Sequence, residues 1–180
     1  MKIKLFTLLV TSLVAMTFAV GCGGDDDDNN GNGGGITADS IATTPLSGTV
    51  NGKPFEILHG HATFSEERQE LNFTFQPVES DSDCSGTFGF RDEQIIFSRP
   101  AVVGGGPMSF ENNITFAYNI PGETEDDPGI SQNDVAVQGY WEITEITDDK
   151  VVGGLFARTD DHEVSGTFEV TKCPDPFDNF

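Results

Sequence analysis

Residues 59–76 read HGHATFSEERQELNFTFQ, with apolar side chains at every second position on either side of a charged centre. If Glu67-Arg68 is a two-residue turn, Phe64 faces Leu71, Ala62 faces Phe73 and Gly60 faces Phe75. All the large apolar residues then fall on one face, the alternation of an antiparallel sheet buried on one side. The opposite face receives His59, His61 and Thr63 beside Gln76, Thr74 and Asn72, which reads as an exposed polar surface.

The same pattern extends outward from this hairpin. Upstream, Thr49-Val50-Asn51-Gly52-Lys53-Pro54-Phe55 is a hairpin signal, because a type I′ turn needs positive φ at both central residues and Asn-Gly supplies it. Phe55 and Ile57 are odd-numbered whereas Leu58 begins the even set, so a bulge or bend is expected near Ile57. Downstream, a turn at Asp148-Asp149 sets Trp141 opposite Phe156 and Ile143 opposite Gly154. Phe156 then reads as core, which favours a three-residue loop near Asp160-Asp161 that places it opposite Val164 or Gly166. Short β-branched and aromatic runs separated by Gly, Pro, Asn and Asp continue to the end, and no window keeps a 3.6-residue period. The expectation is an all-β antiparallel β-sandwich over residues 46–180, with a small closed β-barrel as the alternative.

Composition agrees with a compact β domain. The chain has 180 residues, including 21 Gly and 9 Pro, which argues against a helical bundle, and 15 Phe, too many for a disordered tail. Thirty acidic against nine basic residues give a net charge of −21. Five of the acids, Asp25 to Asp28 and Asp39, precede residue 46, so the domain itself carries −18. A field of that sign repels phosphate backbones, so nucleic acid is not an expected partner.

The first 21 residues have the form of a secretory signal peptide: Lys2 and Lys4, then an apolar run from Leu5 to Val20. That run is shorter than the ~20 residues a spanning helix needs. Ala19-Val20-Gly21-Cys22 resembles the lipobox of bacterial lipoproteins, with Ala19 where the family usually has Leu. The resemblance implies cleavage before Cys22 and its lipidation by acyl chains such as palmitate. Ordinary signal-peptidase cleavage at Ala19-x-Gly21 would make the same cut. Cysteine parity separates the two readings, since Cys22, Cys84 and Cys173 are an odd set for an oxidising compartment. Lipidating Cys22 leaves Cys84 and Cys173 to pair. Gly23, in place of the Asp that retains lipoproteins at the inner membrane, implies the outer membrane by the same family analogy. Residues 22–45 then form a Gly/Asp/Asn-rich disordered linker.

The candidate chemistry is sparse. His59-x-His61 on a strand puts two imidazoles on one face, a metal-ligand spacing that lacks a good third ligand. Glu123, Glu125, Asp126 and Asp127 make an acidic loop that could take calcium, the one cofactor considered, although charge runs are commonly just solvated. Tyr118 and Tyr140 are candidate stacking residues for a glycan. Glu142-Ile143-Thr144-Glu145-Ile146-Thr147 is similar to the E-I-D-x-x-E strand of jelly-roll glucanases, but threonines replace the middle Asp and last Glu, removing the carboxylate pair. No nucleophile elbow, zincin motif or P-loop occurs in the sequence.

As a whole the chain resembles uncharacterised single-domain β lipoproteins of Gram-negative bacteria. This implies a non-catalytic binding or structural module of the cell envelope, held to the membrane by N-terminal lipid, with a protein or glycan partner. The alternative is a carbohydrate-binding or calcium-dependent adhesion module. An enzyme is not expected.

Overall fold

Asn51 and Gly52 both take positive φ, 51° and 71°, and close the expected type I′ turn between β1 (Ser47–Val50) and β2 (Lys53–Glu56). The structure is a computed structural model that describes residues 35–84, 93–122, 124, 127 and 129–174. The expected signal peptide, Cys22 and most of the linker lie outside the described residues.

At Ile57-Leu58 the chain bends as its change of phase requires, and leaves β2 for β3 (His59–Ser65) and β4 (Glu70–Gln76). The pairing of Phe64 with Leu71, Ala62 with Phe73 and Gly60 with Phe75 is the expected one. Then follow β5 (Gln94–Pro100), β6 (Gly104–Pro107), β7 (Ile114–Ile120), β8 (Ile130–Ala136), β9 (Gln138–Ile146), β10 (Lys150–Arg158) and β11 (Glu163–Pro174). The fold is all-β. Among the described residues eleven strands belong to one hydrogen-bonded sheet in the order β6-β9-β10-β11-β3-β4-β5-β7-β8, with the β1–β2 hairpin attached to β11.

Among the described residues every pairing between strands is antiparallel except that of β11 with β3. β11 is long enough to serve two neighbours along one edge. Its first residues pair with β1 and its last with β3, Thr171 opposite His61 and Cys173 opposite Thr63.

Two features curl the sheet onto itself. Only Val137 separates β8 from β9, so one bent run of chain pairs with β7 at its start and with β10 at its end. A strand that changes partners at a bend forms a corner. β6 also leaves the end of β5 to pair with β9 at the far edge. Phe73, Phe75, Phe97 and Phe168, from β4, β5 and β11, stack within one core that also holds Ile114 and Phe116 of β7 and Leu155 of β10.

Two register expectations are corrected. The β9–β10 hairpin starts as expected, with Ile146 opposite Val151, but then shifts by one at a bulge between Val152 and Gly153. The extra residue on β9 is Thr144, so Trp141 faces Leu155 and Ile143 faces Gly153. In β10–β11, Phe156 faces Ser165. The reason is that Phe156 is not core: Leu155 and Ala157 point inward and meet the buried set Val164, Gly166, Phe168 and Val170 in phase.

The folded unit also begins earlier than residue 46. Residues Ala38–Ser40 form a 3-10 turn, and the segment after it is held along β11. Ala42 donates its amide hydrogen to Ser165 Oγ at 2.8 Å, which itself donates to the Ser40 carbonyl. Thr167 N–H donates to Thr44 O, and Leu46 N–H to Thr167 O. Gly166 permits this approach: its φ is +149°, and a Cβ there would stand 2.6 Å from the backbone of Leu46 and from Thr44 O.

Candidate functional site

Cys84 and Cys173 form a disulfide with Cα atoms 5.6 Å apart, so the expected pair is present. Cys173 alternates with the inward residues Phe168 and Val170 and therefore lies on the outer face of β11. Its parallel partner Thr63 shares that face with His59 and His61. The bond thus ties the β4–β5 connection to the end of β11, beside Thr63 of β3.

That face is not the open surface its composition suggests. His59 and His61 are 8% and 9% exposed, and Gln76 is 1% exposed. The imidazole centroids are 5.6 Å apart with the planes tilted by 46°. His59 Nε2 and His61 Nδ1 are both buried without a hydrogen-bond partner. Burial, with a smaller contribution from neighbouring His59, lowers the pKa of His61 and keeps its imidazole neutral.

A second cluster gathers at the corner between the two ends of the sheet. His162, in the β10–β11 turn, is 2% exposed. Its Nδ1 accepts the Asn51 amide hydrogen at 2.8 Å, so the ring proton resides on Nε2. That nitrogen donates to Asp134 Oδ2 of β8 at 2.9 Å. The same oxygen accepts the Tyr118 hydroxyl of β7 at 2.8 Å. Hydrogen bonds from His162 and then Tyr118 hold the Asp134 carboxyl below the usual carboxylate range. The hydrogen bond to Asp134, with burial, pushes Tyr118 up to about 12. Both nitrogens of His162 are engaged, so no lone pair is left to act as a base on a substrate. The cluster acts as a bracket that fastens β7 and β8 to the β1–β2 and β10–β11 turns.

Tyr118, considered for glycan stacking, is therefore a buried member of this bracket, 7% exposed with its ring edge-on to His162. Tyr140 is half-buried on the outward-facing side of β9, opposite Phe156 on one side and Pro107 on the other. The two tyrosines are not brought together. Of the acidic loop, Glu123, Glu125 and Asp126 lie outside the described residues. Asp127 is exposed and its Oδ1 accepts the Gly129 amide hydrogen at 2.9 Å.

Arg99 is the buried charge that sequence reading missed. It is 1% exposed and lies between the rings of Phe97 and Trp141, 5.1 and 5.0 Å from their centroids. Its terminal nitrogens donate to the carbonyls of Ser98, Asn112 and Asn113, tying β5 to the β6–β7 connection. Burial lowers its guanidinium to about 10, which leaves it charged at neutral pH. Its signal was weak: Arg99 occupies the inward parity of Ile95 and Phe97, and an Arg at a core position is normally read as a strand end.

Two shallow hollows flank the half-exposed Leu58, one of about 460 Å³ reaching Phe168 and Glu169, the other of about 560 Å³ reaching Phe55 and Glu56. Each contains a single carboxylate, so neither offers a paired acid and base. Among the described residues no group of three or more His, Cys, Asp or Glu is placed to hold a metal. Compared with protein-family models, curated proteins and solved structures, the chain matches none.

Proposed function

We propose that the chain is a lipid-anchored, non-catalytic module of the bacterial cell envelope, facing its binding or structural partner from the outer membrane. The observation that carries this reading is the Cys84–Cys173 disulfide. It consumes two of the three cysteines, so the remaining thiol is Cys22, at the lipobox-like Ala19-Val20-Gly21-Cys22. A bond of this kind belongs to an oxidising compartment, where an unmodified third thiol would be a liability.

The fold suits a tethered module. Residues 40–46 are fastened along β11, and 17 residues of sequence lie between Cys22 and Ser40. The domain's negative charge favours neither nucleic acid nor an anionic lipid face as a partner. The test is metabolic labelling with palmitate in a Gram-negative host. Label in the wild-type chain that vanishes in Cys22→Ser supports the anchor; label persisting in Cys22→Ser, or none in wild type, overturns it.

A further inference from the structure

Three strands of the sheet, β2, β6 and β8, have a single neighbour among the described residues. Such an edge presents unpaired N–H and C=O groups to any extended chain that approaches, and proteins guard it with short strands, Lys or Pro. β2 is four residues long and carries Lys53 and Pro54, and β6 is four residues long and ends at Pro107. β8 runs for seven residues, Ile130–Ala136, with neither Lys nor Pro, and among the described residues its backbone pairs only with β7. It is the unguarded edge. The outer face beside it is uncharged although the domain carries −18: the register sets Ile96 beside Thr115 and Val135, and Ala117 beside Asn133, with Ile96 and Val135 exposed. The opposite side is acidic. Asp134 lies there, and the β10–β11 turn that His162 fastens to it carries Asp160 and Asp161, both exposed. Asp161 is close enough to act electrostatically on the Tyr118 hydroxyl of β7.

We propose that the free edge of β8 takes an extended segment of a partner protein as an added strand, and that this segment alternates apolar with basic residues. In such a pairing main-chain hydrogen bonds supply affinity, and the alternate side chains supply specificity. Apolar side chains on the outer side extend the row Ile96, Thr115, Val135. The intervening Lys or Arg side chains then fall on the side of Asp134, Asp160 and Asp161. The uncharged outer face matches the depletion of charge at the centre of protein interfaces. Charge also selects this occupant over a second copy of the chain, which would bring another −18 to the same edge, whereas a basic strand is attracted to it. This rests on the reading of the chain as a binding module and not on its lipid anchor, so palmitate labelling and a peptide titration fail separately.

The probe is a synthetic peptide as long as β8 that alternates valine and lysine. It is titrated into the full chain carrying Cys22→Ser, which removes the thiol outside the disulfide, and followed by amide NMR. The peptide is expected to shift the amides of residues 130–136 and to slow their hydrogen exchange about 10-fold. The same peptide with an N-methylated backbone keeps its charge but loses its donors, and is expected to bind about 10-fold more weakly, as is a valine–glutamate peptide. Asp160→Asn with Asp161→Asn is expected to weaken the lysine peptide about 10-fold at low salt and less at high salt. The wild-type titration stands even if that variant misfolds. Equal binding of the N-methylated or the glutamate peptide, shifts spread over the acidic surface without protection of β8, or self-association that protects residues 130–136 without peptide, overturns the proposal.

Discussion

His162 donates from Nε2 to Asp134 Oδ2 at 2.9 Å, and so joins the β10–β11 turn to the last strand of the sheet. In sheet order β8 is separated from β11 by β3, β4, β5 and β7, so this bond spans the opening of the curl. Removing the carboxylate leaves a buried N–H on His162 and the Tyr118 hydroxyl without their acceptor. Asp134→Ala should cost about 2–4 kcal/mol, the upper range for orphaning buried partners of a charged group. Urea unfolding checks this: the midpoint should fall with the m-value unchanged.

The same cluster sets a pH dependence with a defined sign. Asp134 titrates below its unfolded value, so its contribution is complete above about pH 4 and is lost as pH falls through the depressed value. Tyr118 titrates above its unfolded value, so its contribution is complete below about pH 10 and is lost as pH rises toward about 12. The difference in stability between wild type and Asp134→Asn should be flat between these limits and shrink on the acid side. Tyr118→Phe should remove the alkaline loss.

His61 adds a third window. Its folded pKa is lowered, so the neutral ring stabilises the fold above about pH 6.5, and that stability declines as pH falls below it. In His61→Gln the decline between pH 6.5 and 5 should flatten. An unchanged slope would mean that the buried ring does not set it.

The Cys84–Cys173 bond links residues 89 positions apart. Chain entropy assigns such a closure about 4–5 kcal/mol, an upper value because strain and residual denatured structure reduce it. Cys84→Ser with Cys173→Ser should therefore unfold at markedly lower urea, with the difference from wild type abolished under reducing conditions.

At Gly166 a methyl group would meet the backbone of Leu46 and Thr44 O at 2.6 Å. Gly166→Ala should cost about 1–3 kcal/mol, as overpacking does. Because the clash is with the strap rather than with the phenylalanine core, limited proteolysis should cut near residues 38–45 in the variant before the domain unfolds.

Alternation alone made much of this fold legible. The β3–β4 register followed from the parity of Phe64, Leu71, Phe73 and Phe75, and the β1–β2 turn from Asn51-Gly52, because each depends on residues a few positions apart. Where a third strand intervenes, parity misled. Phe156 read as core by size, yet Leu155 and Ala157 face inward, since only the contact with Phe168 and Val170 decides which face is covered. The bulge at Thr144 was silent for the same reason.

Local pattern also placed His59 and His61 on one face of β3 and paired Cys84 with Cys173 by counting thiols. It could not say that the two rings are buried, 8% and 9% exposed, because burial depends on residues distant in the chain. Nor could it bring Tyr118, Asp134 and His162 together, as no periodicity relates them: the curl of the sheet does. The sequence by itself determined the all-β class, the β1–β2 and β3–β4 hairpins and the cysteine pairing, all set by short-range sterics and composition. Tertiary structure alone decided which polar side chains are buried, because burial depends on the closing of the sheet across residues far apart in the chain.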